Sequence, residues 1–291
     1  MRRARTLATA RQLARALRED PLEVVVDARE RLAERGEMRA KREHGGGFMP
    51  WPPCPYAEDP DWLPRLHDAC GWPSPCPEGE RFEALWLEVM QPFSARGIEL
   101  GRGAFAGWGD GEPGVVRAVW CAARHLRPAK VVETGVARGI TSRFILEALR
   151  ENGGGELWSI DRPPLRRPDL YAQIGAAVPP ELRSAWTYVK GSSRRRLRPL
   201  LRRLGPIDLF VHDSRHSGRN LRYELETARN AVRDGGVLVA DDVDLNCALH
   251  RFTEAHPRDE VFVCPAQPLK PDPGRQNDRG VFGVVVKRGG R

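Results

Sequence analysis

The chain of 291 residues contains no run of 18 apolar residues, so nothing in it reads as a membrane-spanning helix. Its six cysteines, Cys54, Cys70, Cys76, Cys121, Cys247 and Cys264, include no C-x-x-C pair, which removes the common zinc-ribbon and thioredoxin-like spacings. The basic start Met1-Arg-Arg-Ala-Arg is not followed by an apolar stretch, which argues against a secretory leader. Glu19, Asp20, Glu23 and Asp27 come too soon for a transit peptide. The expectation is therefore a cytoplasmic chain with reduced thiols. Lysine is scarce: only five of the 47 Lys and Arg residues are Lys. No basic motif interleaved with aromatics is present. The net charge of +8 then reads as arginine-rich composition, and neither nucleic acid nor a membrane is expected as a partner.

From residue 115 onward, short apolar runs alternate with helical stretches. Strands are expected near 130–134, 156–160, 186–190, 207–212, 236–240, 260–264 and 281–287. Helices are expected near 115–126, 139–151, 193–204, 218–233 and 245–255. Such alternation means α/β architecture with a mostly parallel sheet and right-handed crossovers. The last two strands are joined by a polar stretch without helix signal. That predicts a hairpin and one antiparallel strand at the end of the sheet.

The richest stretch is Val131-Val-Glu-Thr-Gly-Val-Ala-Arg-Gly-Ile-Thr-Ser142, followed by Trp158-Ser-Ile-Asp161. A strand runs into a glycine turn that opens a helix, and the next strand ends on a carboxylate. Gly135 and Gly139 are four apart, where the dinucleotide fingerprint needs two, so a nicotinamide cofactor is disfavoured. Glu133 beside the turn would repel a pyrophosphate and suits a ligand with hydroxyls and positive charge. S-adenosylmethionine (SAM) has both. Structural roles also account for these residues: the glycines for a tight turn, Glu133 for a helix cap, Asp161 for a loop start.

Four features in order extend this reading: the Glu133–Gly139 turn, Asp161, Gly191-Ser192 after the third strand, and Asp234-Gly-Gly-Val-Leu-Val-Ala-Asp-Asp242. Together they resemble the class I SAM-dependent methyltransferases over roughly residues 115–290. The resemblance implies a Rossmann-like, doubly wound seven-stranded sheet with an antiparallel last strand. It implies SAM contacts from Glu133, Gly135, Gly139, Ser142, Asp161, Gly191, Ser192 and Asp213. Asp234 stands where that family usually has proline.

Asp213 follows the expected fourth strand, and Asp241 and Asp242 follow the fifth. Adjacent strands lie about 4.8 Å apart, so these carboxylates converge and raise one another's pKa unless a cation intervenes. Oxygen ligands suit Mg2+ or Mn2+. The set is similar to that of divalent-metal-dependent O-methyltransferases. It implies Asp213, Asp241 and Asp242 as metal ligands and His216 as general base toward a small-molecule hydroxyl. His212 reads as a buried partner on its strand, Asn246 as a residue that could orient substrate, and Tyr223 and Glu224 as helix face. Three other readings stay open: a metal-independent methyltransferase, a related fold with hydroxylase-type chemistry, and a non-catalytic interaction protein.

Residues 1–110 form a separate expectation, a helical and Pro/Trp-rich extension ahead of a SAM-binding domain at 111–291. Leu13, Leu17, Leu22, Val25, Val26 and Leu32 recur at helical spacing, with a break at Asp20-Pro21. They suit dimerisation into a homo-oligomer or burial against the chain's own domain. Gly45-Gly-Gly47 ends the second helix. Residues 48–80 read as an ordered irregular layer whose tryptophans cover the core or wall a pocket, 81–99 as helix, and 101–114 as a glycine-rich loop. A zinc frame can be drawn from His67, Cys70, Cys76 and Cys54, but the spacing matches no known ligand pattern and small buried thiols explain it equally.

Overall fold

The structure, a computed structural model, describes residues 14, 16–43, 54–98, 105, 111–162, 168–265 and 280–289. The 45–47 glycines, residues 50–53, most of the 101–114 loop, Pro163-Pro164 and the 266–279 connection lie outside the described residues.

In the N-terminal part, residues 16–19 are helical, and after a break at Asp20 come α1 (Pro21–Glu43), α2 (Trp62–Cys70) and α3 (Gly79–Ala95). The break at residue 20 is real. The Asp20 carboxylate accepts from the Glu23 backbone N–H at 3.1 Å, with Pro21 in the first helical position where no N–H is needed. Helix α2 falls in the stretch expected to be irregular. Its Pro64 sits in the first turn, where proline is tolerated. Gly71 in the left-handed region closes it, with Trp72 N–H on the His67 carbonyl at 2.8 Å.

Then follow α4 (Pro113–Leu126), β1 (Lys130–Thr134), α5 (Ile140–Asn152), β2 (Glu156–Asp161), β3 (Trp186–Lys190), α6 (Ser193–Leu204), β4 (Ile207–His212), α7 (Gly218–Arg229), β5 (Val232–Ala240), α8 (Ala248–Ala255), β6 (Glu260–Pro265) and β7 (Val281–Val286). One seven-stranded sheet runs β3-β2-β1-β4-β5-β7-β6. All pairs from β3 to β5 are parallel, and β7 is antiparallel to both neighbours. The last strand is the antiparallel one, as expected, but it is inserted between β5 and β6 and leaves the edge to β6. The reason is burial. Every residue of Val281–Val286 is buried, whereas β6 alternates and carries Glu260.

Alternate residues of each strand feed two cores. Val131, Leu157, Leu209, Val211, Val237 and Val239 pack with α4 and α5, and there they also meet Trp62, Leu66, Phe82, Leu85 and Val89 of α2 and α3. Val132, Trp158, Ile160, Phe210, Leu238 and Ala240 pack with α6, α7 and α8. The sheet is therefore covered on both faces, and its free working edge is the carboxyl end. No helix among the described residues is long and apolar enough to cross a membrane.

Helix α1 reverses the expected polarity. Leu22, Val25 and Leu32 are exposed, while Glu23, Asp27 and Glu30 are buried. The acidic face wins because it meets arginines at the carboxyl edge of the sheet. Asp27 pairs with Arg162 at 2.5 Å and Arg215 at 3.0 Å, Glu34 with Arg215 at 2.8 Å, and Asp20 with Arg195 at 2.6 Å. Glu37 accepts from the Gly218 N–H at 3.0 Å, at the start of α7. The helix thus straps the ends of β2, β3 and β4.

Candidate active site

The chain visits β1, β2 and β3 in one direction and β4 and β5 in the other, so the crevice opens between the ends of β1 and β4. Gly135 turns the backbone there at φ 89°. Its N–H bonds the Ile160 carbonyl at 2.9 Å. A β-carbon at this position would stand 1.8 Å from the Asp213 carbonyl oxygen, so only glycine lets the turn lie against β4. Gly139, at φ 80°, caps α5.

Glu133 lies beneath this turn, fully buried. Its Oε2 accepts from the Ser142 and Ser159 hydroxyls, both at 2.6 Å, while Oε1 has no hydrogen-bond partner. Burial, with the Asp161 charge adding to it, outweighs the two hydroxyls and pushes its pKa up to about 7. Asp161, at the end of β2, is tied to the glycine turn. Its Oδ2 accepts the Val136 and Ala137 N–H groups, each at 3.2 Å. Burial raises its pKa against these bonds. The Gly191 N–H reaches the Asp161 carbonyl at 2.9 Å, and the Ser192 N–H donates to Glu23 of α1 at 3.0 Å. The first half of the site therefore gathers Glu133, Gly135, Gly139, Ser142 and Asp161, while Gly191-Ser192 meets the strap.

The second half comes from β4 and β5. The Asp241 N–H bonds the His212 carbonyl at 2.9 Å and aligns the two strand ends. Asp213, His216 and Asp241 each offer one ligand atom, all within 4.8 Å of one another. His216 Nε2 is 3.9 Å from Asp213 Oδ1 and 3.8 Å from Asp242 Oδ2. The convergent group thus has two carboxylates and an imidazole, with Asp242 beside the histidine. Asp242 turns into the left-handed region at φ 50°. Burial and then the Asp242 charge drive the Asp213 and Asp241 carboxyls well above the ordinary range. Burial pulls His216 below 6.5 against the pull of Asp242, so its ring is neutral at pH 7.

Below this cluster lies a network on what the sequence pattern makes an exposed helix face. Glu224 is instead fully buried on α7. It meets His212 Nδ1 at 2.6 Å and accepts from Thr134, Ser214 and Asn220 at 2.5, 2.8 and 2.8 Å. Burial opposes its charge, but His212 and these donors hold it down to about 2. His212 is the buried partner expected. The available signal was spacing: Asn220 and Glu224 stand four apart, beside Leu221 and Leu225 on the buried face. Asn246 Nδ2 donates to the His216 carbonyl at 3.2 Å and so holds the loop after β4.

Residues 54–59 run along this side. Cys54 and Cys247 form a disulfide, which corrects the expectation of six reduced thiols. Tyr56 Oη donates to the Asn246 carbonyl at 3.2 Å and accepts from the His250 N–H at 3.1 Å. The glycine-rich loop contributes Phe105, buried under the Arg138 guanidinium at 5.5 Å.

Residues 132–243 match the family described as a methyltransferase domain. No curated protein matches the chain in sequence. Among solved structures, a candidate O-methyltransferase from Klebsiella pneumoniae is similar, with 14% identity, a TM-score of 0.50, and coverage of 79% of this chain and 97% of that one. An O-methyltransferase from Bacillus cereus in complex with SAH gives 17% identity, a TM-score of 0.49, and coverage of 78% and 98%. An O-methyltransferase of tomaymycin synthesis from Streptomyces achromogenes, in complex with SAM, gives 17%, 0.49, and coverage of 69% and 88%. The segment from β1 to the turn after β5 is therefore similar to a methyltransferase domain, and the Klebsiella pneumoniae structure shares the Rossmann-like fold.

Proposed function

We propose that this chain is a SAM-dependent methyltransferase that methylates a hydroxyl of a small molecule with the help of a divalent cation. One observation carries the reading: Asp213, His216 and Asp241 converge within 4.8 Å at two strand ends beside the Gly135 turn. Residues 111–291 would be the SAM-binding domain, and residues 1–110 would shape the lid and acceptor side.

The residues fit both groups. Glu133 has an unspent buried oxygen for an ammonium or hydroxyl, and Asp161 adds a second carboxylate on the same crevice. With Gly135, Gly139, Ser142, Gly191, Ser192 and Asp213 they would hold SAM. Asp213, Asp241 and Asp242 would hold Mg2+ or Mn2+, with His216 beside them and left free of the ion. When bound, SAM offers an electrophilic methyl group and the cation acidifies a hydroxyl. The protein's part is alignment and proton removal. His216 is the base: neutral at pH 7, it can take the hydroxyl proton on Nε2, and the adjacent Asp242 stabilises the imidazolium that results. Asn246 and the Glu224–His212 network fix the backbone that carries it.

A second reading is favoured by the closeness of Asp213 and Asp241, whose carboxyls burial raises well above the ordinary range, so that a proton retained between them does the work of a cation. It is a methyltransferase without metal. Calorimetry separates the readings. SAM is titrated into protein dialysed free of magnesium, then again with magnesium present. The expected result is SAM binding in both cases, plus a magnesium heat that disappears in Asp213→Ala. SAM binding with no magnesium heat favours the second reading. No SAM binding under either condition sinks both.

A further inference from the structure

A second cluster of ligand-type side chains lies where α2, the loop before α3 and the last turns of α4 meet. It draws on three segments: His67 in the last turn of α2, Cys76 in the loop before α3, and Cys121 with His125 on α4. Cys121 and His125 are four apart, so they share one helix face. Each of the four residues offers one atom, and all these atoms lie within 4.8 Å of one another. The two sulfurs are 3.8 Å apart, Cys76 Sγ is 3.7 Å from His125 Nε2, and His67 Nε2 is 3.0 Å from Cys121 Sγ. A tetrahedral ion with metal–sulfur bonds of about 2.3 Å and metal–nitrogen bonds of about 2.0 Å has ligand–ligand edges of about 3.3–3.8 Å. The first two edges lie in that range and the third is tighter.

The surroundings point the same way. His67 and Cys121 are fully buried, and a buried imidazole needs a partner for each ring nitrogen. His67 Nδ1 bonds the Pro73 carbonyl, which places the ring proton on Nδ1 and leaves the Nε2 lone pair facing the cluster. The Trp72 indole stacks on His125 at 5.3 Å and meets His67 edge-on at 5.5 Å, closing the cluster with an apolar wall. Four protein ligands leave no open coordination position, the mark of a structural rather than a catalytic site.

We propose that His67, Cys76, Cys121 and His125 bind one structural Zn2+. Binding replaces the two thiol protons, which leave to solvent, with two sulfur–zinc bonds. Two neutral imidazoles complete the shell, and the dication with two thiolates forms a neutral centre. No electron is transferred. The site clamps α2 and the loop before α3 onto α4, the helix that leads into β1. The frame differs from the one drawn from spacing. Cys54 is in the disulfide and Cys70 stays outside the cluster. Their places are taken by Cys121 and His125, 45 and 49 residues beyond Cys76.

The test uses the full chain. Metal content is measured by mass spectrometry of the dialysed protein, and Co2+ replaces zinc for absorption spectroscopy. The expected result is one zinc per chain and, with cobalt, a thiolate-to-cobalt band with the intense visible bands of a tetrahedral ion. Asp213→Ala should leave the thiolate-to-cobalt band unchanged, because carboxylate and imidazole ligands alone do not produce it. Cys76→Ser and His125→Gln should lose the zinc and lower Tm by several degrees. If the variants do not fold, the cobalt spectrum of the unaltered chain decides. Zinc-free protein without the thiolate band overturns the proposal, as does zinc retained by Cys76→Ser or a Cys76–Cys121 disulfide found by mass.

Discussion

Glu133 is a carboxyl group where water does not reach, half satisfied by two serines, with a pKa of about 7 against an ordinary 4.5. The raised value favours the protonated folded state. Its contribution to stability is fully present below pH 4.5 and is lost as pH rises through about 7. Stability measured by urea unfolding across that interval should fall with pH, by at most roughly 1.4 kcal/mol for each pH unit, and Glu133→Gln should flatten the slope. A cationic ligand reverses the balance and expels the proton. SAM binding at neutral pH should therefore show a calorimetric heat that depends on the buffer's ionisation enthalpy, and Glu133→Gln should abolish that dependence. At Gly135, an alanine would drive its β-carbon into the Asp213 carbonyl. Gly135→Ala should cost more than about 2 kcal/mol in denaturant unfolding and disturb both halves of the site at once. Both residues were legible in the sequence because a glycine turn at a strand end writes itself in consecutive positions. Glu224 was not: its partners come from β1, β4 and α7, and only the fold brings His212, Thr134 and Ser214 to it.

Elements follow the sequence closely wherever burial sets their period. Strands β1 to β4 begin and end within a residue of expectation, because their apolar runs face two cores. Strand β5 starts earlier, at Val232, because Val232 pairs with Ile207; residues 233–236 then bulge opposite Asp208 before pairing resumes at Val237 with Leu209. Helix α1 shows where such reading stops. Its leucine and valine stripe suggested the buried face, yet charge complementarity to arginines more than 130 residues away decided otherwise. Burial works against ionised Asp27, but Arg162 and Arg31 hold its pKa below 3.8. That stabilisation is present above pH 3.8 and is lost as pH falls through the depressed value. Backbone amides of α1 should therefore exchange faster in acid and in high salt. Asp27→Asn should speed their exchange by about tenfold at neutral pH, equivalent to about 1.4 kcal/mol. Unchanged exchange would mean that the apolar residues, not the ion pairs, seat the helix.

Over the whole molecule, the N-terminal region is no appendage: Trp62, Leu66, Phe82 and Leu85 share one core with α4 and α5. The disulfide adds a covalent tie across a separation of 193 residues. In chain-entropy terms a loop of that size contributes about 5 kcal/mol through the unfolded state. Reductant and Cys54→Ser should lower the unfolding midpoint equally, and reductant should add nothing to the variant. The sequence could not reveal this pair, because neither cysteine has a partner at a recognisable spacing; Tyr56, Asn246 and His250 bring the two ends together.

The same bond makes the polypeptide from Cys54 to Cys247 a closed ring, with Asp161, Asp213, His216, Asp241 and Asp242 all on it. A single backbone cut anywhere inside the ring opens it without dividing it, so the nicked protein migrates as one species until reductant is added. A cut before residue 54 has the opposite effect. It severs α1 from the molecule outright, taking away the strap and leaving the carboxylate-bearing ring whole.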